Sequence, residues 1–503
     1  MQGKVTAFIP YNGLNHTIEN INGFFPQFGG GDSGDEFFLL TSPDTKGLLN
    51  YKKIEIAGIN SFAKNILSSR AMNAISANTK TDYILILLED IPVISGQFMI
   101  ERFYQVAEDT GAGILYSDHY EIKDGLRIAH PVIDYQPGSV RDDFEFGSIL
   151  FIKAEALKKA ISQADENYVY AGLYDFRLKI SQLYKIIRIP EFLYTVLRSE
   201  KKTGSENHFE YVDPKNREVQ IEMEKAFTYH LKQIGAYLKP EFKKINLDSE
   251  NFDVGASIII PVKNRARTIS DAINSALNQR TDFSFNIIIV DNYSNDGTTG
   301  IIKAISQKDL RIIHVIPGRQ DLGIGGCWNE AVHHPKCGKF SVQLDSDDIY
   351  RDENTLQIIV NKFKEERVPM VIGSYTITNF NLVEIPPGLI NHKEWTPKNG
   401  RNNALRINGL GAPRAFYTPL IRKIKIPNIS YGEDYAAGLA FSRDYQIGRI
   451  YESIYFCRRW EDNTEAQIGT TRLNEFNLYK DRLRTFEISA RQRKNMMENK
   501  YSF

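Results

Sequence analysis

The chain is poor in cysteine: three in 503 residues, Cys327, Cys337 and Cys457, all in its C-terminal half. Thiols so placed exclude a disulfide framework and lead us to expect a reducing, cytoplasmic setting. Cys327 and Cys337 lie near His333 and His334, but their spacing matches no zinc motif. Net charge is also missing. Lys+Arg and Asp+Glu number 62 each, so no overall field draws the chain to nucleic acid or to an acidic membrane. No apolar run approaches the ~18–20 residues that cross a bilayer, which leaves at most peripheral membrane contact. Met1-Gln2-Gly3-Lys4-Val5 runs straight into a strand pattern without the n- and h-regions of a signal peptide, so no export is expected. What remains is an ordinary globular composition, too long for one domain and rich in tyrosine and phenylalanine.

Self-comparison is more telling. Val5-Thr6-Ala7-Phe8-Ile9-Pro10 aligns with Ala256-Ser257-Ile258-Ile259-Ile260-Pro261, and Ala71-Met72-Asn73-Ala74 loosely matches Cys327-Trp328-Asn329-Glu330-Ala331. Tyr83 to Asp90 falls beside Phe340 to Asp347, and Arg188 to Tyr194 mirrors Arg449 to Tyr455. An arginine follows in each copy, Arg198 and Arg459. The order is kept at an offset of about 250 to 260 residues, which points to a tandem duplication. The expected division is therefore 1–200 for one α/β domain, 201–254 for a helical linker, 255–465 for a second α/β domain and 466–503 for a helical, solvated tail. The linker includes a helix-period segment from Arg217 to Leu238, and the tail ends in Arg491-Gln492-Arg493-Lys494.

In the second copy, Ser257-Ile258-Ile259-Ile260-Pro261 and Ile287-Ile288-Ile289-Val290 are continuous apolar runs of the kind buried on both faces of a parallel sheet. Between them Ile269, Ala272, Ile273, Ala276 and Leu277 recur at helical spacing. A further strand, Phe340 to Leu344, ends in Asp345-Ser346-Asp347-Asp348. Three carboxylates in four positions repel one another, and a hard divalent cation relieves that repulsion while bringing phosphates as further ligands. Strand–helix alternation with acids at strand ends implies a doubly wound, Rossmann-like and mainly parallel sheet, with ligands beyond those ends.

Ser257 to Asn264, Val290-Asp291-Asn292-Tyr293-Ser294-Asn295-Asp296-Gly297-Thr298, Asp321-Leu322-Gly323, Asp345 to Asp348 and Tyr431-Gly432-Glu433-Asp434-Tyr435 together resemble the family 2 glycosyltransferases of the GT-A fold. The resemblance covers about 255–465 strongly and 4–200 weakly. It implies Asp291 as acceptor of a hydrogen bond from the donor base, in a pocket shaped by Pro261, Lys263 and Asn264. It implies Asp345 toward the ribose or the ion, and Asp347 as main ligand of Mn²⁺ or Mg²⁺ holding the diphosphate. Asp434 is implied as base of an inverting transfer, with Glu433 binding the acceptor. The implied partners are a nucleoside diphosphate sugar, with UDP foremost, and a glycan or glycolipid acceptor in surface polysaccharide synthesis.

Trp328 stands where many relatives have an arginine, so Arg319, Arg458 or Arg459 is left to face the diphosphate. No histidine follows the Glu-Asp motif as a third ligand; Trp460-Glu461-Asp462-Asn463 stands there instead. Gly323-Ile324-Gly325-Gly326 reads as a backbone turn. The segment Pro386 to Leu410, with Trp395 and several Asn and Arg, is the expected acceptor loop. The first copy keeps Pro10, Asn73, Glu89 and Asp90, with Gly172-Leu173-Tyr174-Asp175 as a counterpart of the Glu-Asp motif, but has Leu88 in place of Asp345. In place of Asp291 it offers only Phe38-Leu39-Leu40-Thr41 and a later Asp44. It is expected to be a degenerate GT-A domain that packs, recognises acceptor or supports a homodimer. The alternatives are a bifunctional polymerase with both copies active and a non-catalytic sugar- or nucleotide-binding scaffold. A nucleotidyltransferase is disfavoured, because Pro261-Val262-Lys263-Asn264 lacks the Gly-rich, basic loop that such an enzyme needs.

Overall fold

Runs of β-branched residues become strands where both faces are covered, and the run Ala256–Val262 is buried along nearly its whole length. The computed structural model describes residues 4–11, 20, 36–41, 56–61, 67–163, 167–197, 217–248, 250–460 and 469–500. They divide between two units, one of Met1–Tyr211, Lys215–Tyr237 and Gly469–Ile488, the other of Val212–Pro214, Leu238–Ile468 and Ser489–Phe503. Arg198, Asp44 and the Glu461-Asp462-Asn463 stretch lie outside the described residues. Among the described residues no helix is long and apolar enough to cross a membrane.

The first unit has strands β1 (Val5–Tyr11), β2 (Glu36–Thr41), β3 (Ile56–Ser61), β4 (Tyr83–Leu87), β5 (Val93–Ser95), β6 (Ile114–Lys123), β7 (Leu126–His130), β8 (Ile149–Lys153) and β9 (Ile186–Leu197). They form one sheet in the order β3-β2-β1-β4-β8-β6-β9-β5, with β7 on β6. The helix Arg217–Gln233, expected within a linker, is part of this unit. Its apolar stripe buries Ala226, Phe227 and Leu231, and Glu222 accepts the backbone N–H groups of Tyr170 (2.7 Å) and Ala171 (3.1 Å) before the helix Gly172–Leu183. The C-terminal helix Thr470–Lys500 is not solvated as expected. In its part that belongs here, Asp481 and Arg484 form a fully buried pair at 2.7 Å, and Asp481 also accepts from Ser139 at 2.9 Å. A buried carboxylate so surrounded is stable only because its oxygens are satisfied.

The second unit has β10 (Ala256–Val262), β11 (Phe285–Asp291), β12 (Ile312–Val315), β13 (Phe340–Gln343), β14 (Ile349–Tyr350), β15 (Met370–Asn379), β16 (Glu384–Ile390), β17 (Arg414–Tyr417) and β18 (Ile447–Arg459). Their order is β12-β11-β10-β13-β17-β15-β18-β14, with β16 on β15, the same plan strand for strand. In both sheets the first four strands are mutually parallel, as strand–helix alternation requires. The remainder is mixed, because a strand inserted antiparallel (β8, β17) and a hairpin partner (β7, β16) need no crossover helix. The helix Ile269–Leu277 lays Ile269, Ala272, Ile273 and Ala276 on the core. At the other end of the chain, Arg491 is fully buried against the Arg401 carbonyl (2.8 Å) and the Ser442 hydroxyl (3.1 Å).

Candidate active site

The second unit's parallel strands all end on one side, and their loops are tied together. After β10, Asn264 takes a left-handed backbone (φ 54°), donates its N–H to Ser294 Oγ (2.9 Å) and receives the Asn295 N–H on Oδ1 (2.9 Å). The Thr268 hydroxyl donates to the Ser346 carbonyl at 2.8 Å, joining this loop to the acidic strand end. Pro261 is half-buried on β10, and Lys263 and Asn264 are exposed. Asp291 closes β11 fully buried, accepting from the Ser294 N–H (3.0 Å) and the Thr299 hydroxyl (2.5 Å), with His314 Nε2 at 3.4 Å. Burial alone would raise its pKa, but these hydrogen bonds outweigh it and hold the carboxyl below its usual range. Asp291 therefore builds the 291–299 loop from inside.

The acids after β13 are arranged unequally. Asp345 receives the Gln343 amide on both oxygens (2.9 Å each), and its backbone N–H meets the Tyr455 hydroxyl at 3.0 Å. Burial, then Asp347 and Asp434 nearby, push its carboxyl up to about 6 despite Gln343 and Arg414. Asp347 lies 3.5 Å from Arg265 Nε. Asp348 is buried, accepts the Arg458 N–H at 2.8 Å, and is held well above the usual carboxylate range by burial and its two acidic neighbours. Arg458 also donates to the Asp347 carbonyl (2.6 Å) and to Asp271 (2.8 Å).

The Glu-Asp motif opens the helix Glu433–Asp444, with Gly432 before it at φ 83°, where a side chain would be strained. Asp434 pairs with Arg414 Nη2 at 2.7 Å and remains a quarter exposed. Glu433 is buried, and its Oε2 has no hydrogen-bond partner among the described residues. Burial, then Asp434, push its carboxyl up to about 8. The glycine-rich segment, expected as a backbone turn, instead opens the helix Ile324–His333, and it sets this motif in place. A Cβ on Gly325 would strike the Pro427 carbonyl, and one on Gly326 the Asn428 side chain. Gly325 N–H reaches the Ile429 carbonyl at 2.9 Å, and Asn329 exchanges two hydrogen bonds with the Ile426 backbone (2.7 and 3.1 Å).

Two residues that no motif singled out hold the constellation together. Arg414 starts β17 and carries the positive charge among Asp434, Asp345 and Glu433, while Gln343 bridges Asp345 and Arg414 through its amide (Arg414 N–H to Gln343 Oε1, 3.0 Å). The only local signal was an arginine in the otherwise apolar Arg414-Ala415-Phe416-Tyr417. Trp328, in the arginine position, is buried edge-on to Phe416. Arg319 makes an exposed pair with Asp321 at 2.6 Å, whereas Arg458 is at the acidic strand end. The expected acceptor loop is largely internal: Trp395, Arg401, Asn402, Asn403 and Arg406 are all buried, and Arg401 is spent on the backbone carbonyls of Lys239, Glu241 and Arg443.

The donor set suits a hard divalent cation. Asp345 and Asp347 could offer oxygen ligands, and Asp345 and Asp348 are raised by burial and, after it, by their acidic neighbours, a cost that such an ion would relieve.

Sheet register identifies the corresponding positions of the first unit. Val5 pairs with Tyr83 as Ala256 pairs with Phe340, so Leu88 occupies the place of Asp345, and Asp90 that of Asp347. Thr6 pairs with Glu36 as Ser257 pairs with Asn286, which puts Thr41 in the place of Asp291. The helices Gly172–Leu183 and Glu433–Asp444 have 12 residues each and lead equally into β9 and β18, so Gly172-Leu173 stand for Glu433-Asp434. Asp175, the expected counterpart, is instead a buried partner of Lys179 at 2.6 Å.

Residues 257–424 match the family model of glycosyl transferase family 2. The minor teichoic acid biosynthesis protein GgaB of Bacillus subtilis is 25% identical over 248 residues, 46% of this chain and 26% of that protein. The poly(ribitol-phosphate) beta-glucosyltransferase of Bacillus spizizenii is 27% identical over 171 residues, 34% of this chain and again 26% of the relative. The chain thus spans about a quarter of the length of each. Among solved structures, S. aureus TarS 1–349 in complex with UDP-GlcNAc aligns with 20% identity and a TM-score of 0.36, over 47% of this chain and 72% of that one. Residues 257–424, all within the second unit, thus carry a glycosyl transferase family 2 domain.

Proposed function

We propose that the second unit transfers a sugar from a nucleoside diphosphate sugar, UDP being the first base to try, to a hydroxyl of a cell-surface glycan polymer. The observation that carries this reading is the convergence of Asp345, Glu433 and Asp434 around Arg414, with Asp347 beside Asp345, where β13 ends and β17 and the Glu433–Asp444 helix begin. Asp345 and Asp347 would hold Mn²⁺ or Mg²⁺, which supplies charge to the departing diphosphate. Asp434, held in one orientation by Arg414 but still open to solvent, takes the proton of the acceptor hydroxyl. That oxygen bonds to the anomeric carbon as the carbon–phosphate oxygen bond breaks, and attack opposite the leaving group inverts the centre. Glu433, raised to about 8, keeps its proton at neutral pH and uses it as a hydrogen-bond donor to an oxygen of the acceptor. Pro261, Lys263 and Asn264 border the base pocket whose loop Asp291 stiffens. The teichoic acid and poly(ribitol-phosphate) in the relatives' names support a polyol-phosphate or related surface polymer as acceptor.

On this reading the first unit transfers nothing, because the places of Asp291, Asp345 and Asp434 hold Thr41, Leu88 and Leu173. A donor screen with Mn²⁺ that detects released nucleoside diphosphate tests the proposal. One donor should turn over in the intact protein and not in Asp347→Ala, and turnover of no nucleotide sugar under any divalent ion would overturn it.

A further inference from the structure

The first unit, stripped of the acids just described, contains a different cluster on the hairpin of β6 and β7. The turn Asp124-Gly125 has both residues at positive φ (51° and 74°), as a two-residue hairpin requires, and it fixes His119 directly across from His130. Glu121 lies two residues beyond His119, on the same face. One ligand atom from each of His119, Glu121 and His130 falls within 4.8 Å of the others, the only such trio of His, Cys, Asp or Glu among the described residues.

Three observations give the cluster direction. First, the His119 ring is fully buried, stacked between His130 (centroids 4.5 Å apart) and Tyr194 (5.1 Å), and neither of its nitrogens has a hydrogen-bond partner among the described residues. A buried imidazole left this way forfeits its solvation with nothing in exchange. Second, Glu121 reaches toward both rings, at 3.8 Å from His119 Nε2 and 3.4 Å from His130 Nδ1. Ligands at ~2.0–2.1 Å around a tetrahedral ion are separated by about 3.3 Å, so these two separations, made by the two Glu121 oxygens, are each within about 0.5 Å of a ligating distance. Third, the far nitrogen of His130, Nε2, lies 2.8 Å from a Glu145 oxygen, within reach of it although the two are not aligned as a hydrogen bond. A metal-bound imidazole characteristically gives its other N–H to a carboxylate, which fixes the ring and its tautomer.

We propose that His119, Glu121 and His130 form a zinc-type transition-metal site, with Glu145 as the positioning residue of His130 and a fourth coordination position left for water or a small ligand. Two imidazoles and one carboxylate favour such an ion over the hard cations suited to Asp345 and Asp347. The site adjoins the strand end that corresponds to the catalytic one. Tyr194, stacked on His119, accepts the Ser148 N–H (2.8 Å), and the Ser148 carbonyl accepts the Leu88 N–H (2.9 Å). The inference does not depend on the transferase reading, since it uses none of those residues.

The test is titration of metal-stripped, full-length protein with Zn²⁺, and with Co²⁺ followed by visible absorption. It is done in an Asp345→Asn/Asp347→Ala background so that the acidic site does not contribute. One ion per chain with an intense tetrahedral cobalt band is expected. Glu121→Gln and His130→Gln should lose binding by at least ~100-fold, and Glu145→Gln by roughly tenfold. Glu121→Gln keeps the side-chain shape, and an unchanged circular dichroism spectrum separates lost ligation from lost folding. Unaltered zinc affinity in Glu121→Gln and His130→Gln would overturn the proposal. So would failure of the unsubstituted trio to bind at 100-fold excess ion, leaving His130 as a protonated bridge between Glu121 and Glu145.

Discussion

The two units share nine strands, one strand order and one pattern of parallel and antiparallel pairing, yet differ at the positions where chemistry would occur. The strand end after β4 reads Leu88-Glu89-Asp90, that after β13 Asp345-Ser346-Asp347, and one helix opens with Gly172-Leu173 where its counterpart has Glu433-Asp434. The scaffold tolerates either set because these residues lie at the strand and helix ends, where Leu88 and Leu173 pack against the edge of the core in one unit and carboxylates gather around Arg414 in the other. The contrast separates what folds this protein from what makes it react, a division expected when sites are grafted on shared architectures.

The comparison breaks most sharply at the paired aspartates. Asp347→Ala should cost at least ~10³-fold in transfer, read as released nucleoside diphosphate, while Asp90→Ala at the matching place changes it less than about twofold. Next is the proposed base: Asp434→Asn should lower kcat by roughly 10²–10⁴-fold with little change in the donor KM, whereas Leu173→Ala leaves steady-state rates intact. Gly325→Ala pushes the Pro427 carbonyl from the turn that seats Glu433. It should destabilise by about 1–3 kcal/mol in a urea melt and reduce kcat as well.

The smallest effect concerns pH. The Asp345 carboxyl is raised in the folded state from 3.8 to about 6, so in that interval the folded protein binds more protons than the unfolded chain and stability falls as pH rises. Asp345→Asn removes that slope. Without nucleotide or metal, the variant should be more stable than the parent above pH 6, by about 1–3 kcal/mol, and equal to it below pH 4. A parent that gained stability between pH 4 and 6 relative to this variant would contradict the repulsion argued for the acidic strand end.

Much of this was legible in the chain because buried strands announce themselves. The Ile258-Ile259-Ile260 and Ile287-Ile288-Ile289 runs admit few readings other than central strands, and acids placed directly after such runs must lie at their ends. The duplication supplied an internal reference, and the sheet register reproduces the alignment of Leu88 with Asp345. Arg414 and Gln343 were not legible, because their contact with Asp345 and Asp434 arises from the antiparallel insertion of β17 beside β13, which no local pattern encodes. The linker helix showed an apolar stripe but not which unit would cover it. Pro386 to Leu410 misled for a related reason: arginines and asparagines suggest an exposed loop, but here Arg401 and Asn402 are buried as partners for backbone groups of the 238–241 segment. The His119–His130 pair was invisible because hairpin pairing across a tight turn, and not sequence spacing, brings the rings together.

The central claim is that one unit only is a transferase site, and calorimetric titration of the intact protein with UDP in the presence of Mn²⁺ tests it most directly. One metal-dependent site per chain, lost in Asp347→Ala and kept in Asp90→Ala, is the predicted result. Two sites per chain, or metal-dependent binding that survives Asp347→Ala, would contradict it.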